Sequence, residues 1–188
     1  MMTSTIMYYL IFFLAIIAIG LFLFNIWLLW WSSYFLLPFF HGGGPYVPIP
    51  KHHIKTVMEL ALIKPEDVVV DLGSGDGRLL IAAIQAGAHK AIGYEIHPGL
   101  VRLSRQLIKN VHLENQITVH QKSFWNQDVS HANVVTIYQI SYAMKHLEKK
   151  LLTELPLGAR VVAHGFKFPN WKPVKTIENT RLSIKISN

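Results

Sequence analysis

Residues Val68–Arg78 read VVVDLGSGDGR, and no other stretch constrains the fold as tightly. A β-branched run ends in an acid, passes through a glycine-rich turn and opens into a helical pattern. That order builds a nucleotide-sized crevice at the carboxyl end of a first parallel strand. Gly73, Gly75 and Gly77 are spaced GxGxG, not the GxGxxG of the dinucleotide fingerprint. Such glycines let the backbone approach a ligand and take positive φ. Asp71 precedes the first glycine by two residues, and Asp76 lies inside the turn. Carboxylates there would repel a pyrophosphate, so the turn suits a ligand with positive charge and few anionic groups.

S-adenosylmethionine (SAM) meets that description, with a sulfonium, an ammonium, one carboxylate and no phosphate. Its expected contacts in this turn are Asp71, Gly73, Ser74, Gly75, Asp76 and Gly77. Glu95, 18 residues past Gly77, ends the apolar run Ala91–Tyr94 and is placed to accept hydrogen bonds from both ribose hydroxyls. Dinucleotide sites use an acid in the same way, so Glu95 alone does not discriminate. The plainer alternative is a glycine-rich β–α turn capped by Asp76.

No Asp, Glu, Lys or Arg occurs before Lys51, so positions 51–188 alone carry the net charge of +7. Three segments follow: an anchor (1–40), a Gly/Pro linker (41–50) and a basic domain (51–188), the last long enough for one core. Tyr8–Leu29 holds 22 residues with Asn25 as the polar interruption. As a helix it would run about 33 Å, enough for a hydrocarbon core of ~30 Å. Trp27, Trp30, Trp31 and Tyr34 gather at its end like an interfacial belt. The uncharged start, the long apolar run and the bulky residues that follow oppose a cleaved signal peptide.

Lys51, His52, His53 and Lys55 follow the span, and the positive-inside rule then puts the domain in the cytoplasm. The leader lacks the arginines of a transit peptide, which favours a bacterial inner membrane over the mitochondrial one. The basic surface points first to lipid headgroups and last to nucleic acid. With no cysteine, disulfides, thiolate metal sites and a cysteine nucleophile are excluded. The ten histidines show no ligand spacing, so no metal is expected.

Gly42–Gly44 reads as a hinge, whereas Pro45-Tyr46-Val47-Pro48 is stiff and carries an aromatic that could fold over the cofactor crevice. Beyond it, short apolar strands (68–72, 91–95, 117–121, 134–140, 160–164) alternate with helices (51–63, 76–86, 98–110, 142–155). The pattern predicts an α/β fold with a doubly wound, mostly parallel sheet. The tail 175–186 is expected to add one or two antiparallel strands.

Asp71–Arg78 with Glu95 resembles motif I and the following acid of the Rossmann-like class I SAM-dependent methyltransferases. Pro45–Pro48, Gly93-Tyr94-Glu95, Leu147–Leu151, Gly158–Val161 and Phe166–Trp171 extend the resemblance. Together they look like the membrane-anchored mitochondrial protein-lysine methyltransferases, of the ATP synthase c-ring and adenine nucleotide translocase type, and their prokaryotic relatives. The resemblance implies N-methylation of a lysine in a membrane or membrane-associated protein, and Tyr46 as a cofactor contact. Family members tend to carry an acid before a Leu-Trp pair, and Ser123 stands in its place here. A hydroxyl there would give adenine a weaker, uncharged contact.

Methyl transfer to an amine is an in-line displacement, so alignment is the main requirement. A lysine must also lose its proton, which a dry pocket favours. Gln139 is the candidate to orient the amine, with Tyr142 and Tyr138 as walls; strand-end and helix-cap roles are the alternative. Phe166, Phe168 and Trp171 could gate a lysine side chain through cation–π attraction, or form a satellite cluster. His164 is a weaker candidate proton acceptor. Competing readings are a lipid-headgroup or membrane-soluble small-molecule methyltransferase, a non-catalytic SAM-binding scaffold, and a nicotinamide oxidoreductase. Asp71 and the glycine spacing disfavour the last.

Overall fold

The computed structural model describes residues 2–40 and 44–186. A seven-stranded sheet runs in the order β3-β2-β1-β4-β5-β7-β6. Its strands are β1 (Val68–Leu72), β2 (Lys90–Glu95), β3 (Ile117–Gln121), β4 (Val134–Ile137), β5 (Arg160–His164), β6 (Lys175–Ile177) and β7 (Thr180–Ile184). β1 to β5 are mutually parallel, and β7 joins β5 antiparallel before β6 closes the edge. The helices are α1 (Met2–Phe40), α2 (Lys51–Ala61), α3 (Arg78–Gln85), α4 (Pro98–Asn110) and α5 (Ser141–Glu154).

Strand alternation sorts the apolar side chains into two layers. Val69, Val134 and Val162 face α2, α3 and α4, while Val70, Val135, Val161 and Ala163 face α5. The strand order reverses between β1 and β4, so the sheet's crevice opens at their carboxyl ends.

Several boundaries differ from the sequence expectation for local reasons. α3 starts at Arg78, not Asp76, because Gly75 (φ 54°) and Gly77 (φ 81°) are left-handed and cannot begin a right-handed helix. Asp76 is therefore not the N-cap; Gly77 occupies that position. α2 stops at Ala61, short of residue 63, because Leu62 takes φ 49°. β4 ends at Ile137, and Tyr138–Ile140 leave the ladder. β6 and β7 are the two antiparallel strands expected of the tail.

The apolar leader is helical from Met2 to Phe40, and its stretch Ile6–Ser33 has a mean hydropathy of 2.7 with nothing buried. It is a candidate membrane span by length and composition. Asn25 donates to Leu21 O at 2.8 Å, so its polar group is satisfied within the helix. Of the expected hinge, Gly42 and Gly43 lie outside the described residues, as does the Tyr34 side chain.

At the amino edge of the sheet, Arg160 is buried and donates to Asp67 and to the carbonyls of Ala61 and Leu62. It joins β5 to the end of α2 and to the turn ahead of β1. Breaking a buried pair strands a charge and costs about 3–5 kcal/mol. Arg160→Ala should lower the unfolding free energy by that order, read by urea unfolding of the full chain in nanodiscs.

Candidate active site

The crevice between β1 and β4 is a cleft of about 770 Å³, including its open mouth. The turn after β1 forms one wall and the strap Gly44–Ile49 crosses it. Two glycines make the cradle. At Gly73 (φ 88°) a Cβ would come within 2.3 Å of Gln139 Nε2, and at Gly75 (φ 54°) within 2.8 Å of the Tyr46 ring. Any side chain at either position would fill the space and force a strained backbone.

Asp71, the register partner of Thr136 on β4, accepts a hydrogen bond from its hydroxyl at 2.7 Å. Burial pushes the Asp71 carboxyl up to about 7; the Thr136 bond opposes this, and Glu95 and Asp76 add to it. Glu95 ends β2 and accepts Gly75 N–H at 2.9 Å and His97 N–H at 2.8 Å. Burial still leaves its carboxyl above its ordinary value. Ser74 Oγ, also in the cleft wall, is buried with no hydrogen-bond partner. Buried, partly protonated carboxylates, an orphaned hydroxyl and a backbone cradle fit a cationic ligand carrying ribose hydroxyls. SAM is such a ligand, and a pyrophosphate is not.

Asp76 is bound up differently. Burial raises it, but Arg78 outweighs burial and holds it below the usual carboxylate range. Arg78 Nε lies 2.9 Å from Asp76 Oδ1, and Arg78 Nη1 donates to Ile49 O at 2.8 Å. Tyr46 hydrogen-bonds to Asp76, and burial together with the negative charge of Asp76 pushes its hydroxyl up to about 12. Gly44 N–H reaches Gln139 Oε1 at 3.2 Å. The strap is thus latched at Gly44, Tyr46 and Ile49.

The structure brings Tyr46, Asp71, Gly73, Ser74, Gly75, Asp76, Glu95, Ser123, Tyr138 and Gln139 to one cleft. Gly77 sits behind it, against Ser104 of α4. Gln139 Nε2 donates to Leu72 O at 3.2 Å, so its amide is oriented by the motif turn on one side and the strap on the other. The other residues proposed around the amine are not gathered there. Tyr142 is exposed at the start of α5, outside the cleft wall. Phe168 is buried in the α5-side core, and its ring lies 5.4 Å from that of Trp171 in a separate hollow. Phe166 is exposed. His164 bonds Thr180 Oγ1 at 2.8 Å and packs between the rings of His53 and Tyr138, held below its ordinary pKa by burial and then by His53 and Arg181.

Sequence reasoning missed His97. Its Nδ1 accepts Gly99 N–H at 3.1 Å and Leu100 N–H at 3.3 Å, capping α4. That leaves the proton on Nε2, which donates to Ser33 Oγ at 2.9 Å while Ser33 donates to Trp30 O. The end of α1 therefore touches the residue two beyond Glu95. A histidine ahead of Pro98 was the only signal in the sequence.

Residues 71–175 match the family described as the ANTKMT methyltransferase domain. The chain is 37% identical over 133 residues to mouse adenine nucleotide translocase lysine N-methyltransferase, covering 71% of this chain and 58% of that protein. It is 35% identical to a protein-lysine N-methyltransferase of Saccharolobus islandicus, covering 71% and 84%. To the Xenopus laevis lysine N-methyltransferase of the ATP synthase c-ring protein it is 40% identical, covering 69% and 56%. The chain thus spans less than two thirds of the animal proteins. A crystal structure of a Salinibacter ruber RNA methyltransferase in complex with S-adenosyl-L-homocysteine superposes with a TM-score of 0.73 and 33% identity, covering 76% of this chain and 95% of that one.

The Asp71 pKa has a stability consequence. A carboxyl raised by folding contributes stability below its unfolded pKa and loses it as pH climbs through about 7. The loss runs at about 1.4 kcal/mol per pH unit. Asp71→Asn should match the ligand-free wild type in Tm near pH 4 and exceed it above pH 7. Thermal melts across that range check this.

Proposed function

Because this chain belongs to the ANTKMT methyltransferase domain family, we propose that it is a SAM-dependent protein-lysine N-methyltransferase acting on a membrane or membrane-associated protein. The observation that carries the reading is the β1/β4 cleft, where Asp71 and Glu95 flank a glycine cradle and an uncharged amide, Gln139, stands beside it. When bound, SAM supplies a methyl group already activated by its sulfonium.

The chain's own residues do the rest. Glu95 retains acceptor capacity for ribose hydroxyls beyond the two backbone N–H groups that fix it. Ionised Asp71 offsets positive charge at the turn. Ser123, at the turn before Phe124, is the adenine contact. Tyr46 and the strap exclude water over the turn. Gln139 is the group that orients a neutral amine through its carbonyl, and Tyr138 forms the wall beside it. Tyr142, at the mouth, and the aromatics 166, 168 and 171 lie outside that first layer, so a gating role for them would require the substrate to bring them in.

In this reading residues 1–40 form a single-pass anchor, 41–50 the linker and cofactor-covering segment, and 51–188 the catalytic domain. The lysines and histidines after the anchor favour a cytoplasmic domain, and the leader a bacterial inner membrane over the mitochondrial one. An anchored active site reaches lysines that emerge from the bilayer. A lipid-headgroup substrate fits an anchored cleft as well, and the sequence identity to lysine methyltransferases is what ranks protein above it. The Salinibacter relative brings RNA in as a further alternative. A scaffold without catalysis is disfavoured by the complete Asp71, glycine and Glu95 set.

Membranes from cells lacking the protein, incubated with full-length enzyme and methyl-labelled SAM, separate these readings. Label should enter one discrete protein band on lysine, and Glu95→Ala should abolish it. Label in the lipid extract or in RNA would replace the protein substrate; none in any fraction would favour the scaffold.

Cofactor affinity should also depend on pH. Asp71 holds a proton below about 7 in the free protein, and that proton must leave before the carboxylate can favour a cation. The SAM dissociation constant should rise by up to about tenfold per unit between pH 7 and pH 5. In Asp71→Asn the affinity should be weaker and flat over that range, by calorimetry. Undiminished affinity in Asp71→Ala would sink the site assignment.

A further inference from the structure

The segment 165–177 leaves β5 and returns as β6 without touching the cleft wall. It reads GFKFPNWKPVKTI: three aromatics, three lysines and no acid until Glu178. Its inner half is fixed. Phe168 is buried, and Trp171 Nε1 donates to Ile184 O at 3.3 Å. Its outer half is presented. Phe166 is 45% exposed, and Lys167 and Lys172 are exposed on the rim of the hollow floored by Phe168 and Trp171. An exposed aromatic between lysines, on a rigid base and free of acids, has the chemistry of a contact with an anionic bilayer surface.

Topology says which surface. α1 touches the domain through Ser33 and His97, just past the carboxyl end of β2. Segment 165–177 starts at the carboxyl end of β5. The two strands are parallel and separated by β1 and β4. The anchor's exit and the segment therefore share one edge of the sheet, with the cleft between them.

We infer that 165–177 is a second bilayer contact, in which Phe166 enters the headgroup region and Lys167 and Lys172 meet anionic phospholipid headgroups. The inference rests on α1 spanning that bilayer. Two contacts on either side of the cleft fix the rotation of the domain about its anchor. The cleft mouth then stays over the membrane surface, and the substrate lysine is one that emerges within a few residues of the headgroups.

The chain has no cysteine, so single labels can be placed in the full protein. Nitroxides at Phe166→Cys, Ile17→Cys in the anchor and Glu114→Cys at the opposite sheet edge would be compared in nanodiscs. The lipid would be phosphatidylcholine with or without phosphatidylglycerol. Expected is a hydrocarbon environment at 17 and water at 114. At 166 the label should lose several-fold of its collision rate with a water-soluble relaxer when phosphatidylglycerol is present. Lys167→Ala with Lys172→Ala should restore that rate. A label at 166 that stays in water while 17 lies in hydrocarbon would overturn this contact and leave the anchor standing. Water at 17 would instead overturn the span, and this inference with it. Equal readings in both lipids would overturn the role of the lysines.

Discussion

The site depends on the Glu95 carboxylate more than on any other group. One oxygen holds the backbone of the glycine turn at Gly75, and the other holds His97 N–H at the start of α4. Both bonds are charge-assisted while Glu95 is ionised, and both are screened from water. The turn after β1 and the helix after β2 are thereby fixed against each other, which sets the width of the crevice. The same link runs on through His97 to Ser33, so the anchor's end and the cofactor turn are joined through a single residue pair. His97 can serve that link only as the neutral Nε2–H tautomer, and burial, by lowering its pKa, keeps it neutral.

Covering the cleft is a separate matter, handled by the strap. Its far end is held by a guanidinium that also clamps Asp76, a short charged contact at Ile49 O. Its near end is held by an uncharged bond of 3.2 Å between Gly44 N–H and Gln139. Neutral bonds of that length are the weaker kind. The strap is therefore firmest where it joins α2 and loosest where it approaches the anchor. The segment 45–48 was expected to lie over the pocket on stiffness and its tyrosine alone, and its place follows from those latches.

What the sequence made legible was local. The GxGxG turn, the acid ending each of the first two strands and the alternation of strands with helices all act within a few residues, and each lies where the pattern required. Boundaries slipped by two or three residues where a left-handed residue, Gly77 or Leu62, overrode helical periodicity. Contacts across long separations were not legible. Nothing near Ser33 marks it as a partner for His97, 64 residues on, and Gln139 gives no sign that Gly44 will claim its carbonyl. The aromatics 166, 168 and 171 were read as one group because they are neighbours in sequence. Their burial divides them, with Phe168 in the core and Phe166 outside it.

The choice of an amide at position 139 follows from the charges around it. The cleft already holds Asp71, Asp76 and Glu95. A fourth carboxylate beside the incoming amine would stabilise its protonated form, which cannot attack a methyl group. A glutamine carbonyl offers directional acceptance without net charge. It has two lone pairs, so the bond from Gly44 N–H leaves one for an amine N–H. Raised pKa values at Asp71 and Glu95 act in the same direction, because they limit the negative charge in the cleft until a cationic ligand draws it out. A cofactor that is a cation and a nucleophile that must not be one make opposite electrostatic demands on one small volume. Carboxylates at the turn and an amide after β4 meet those demands in separate places.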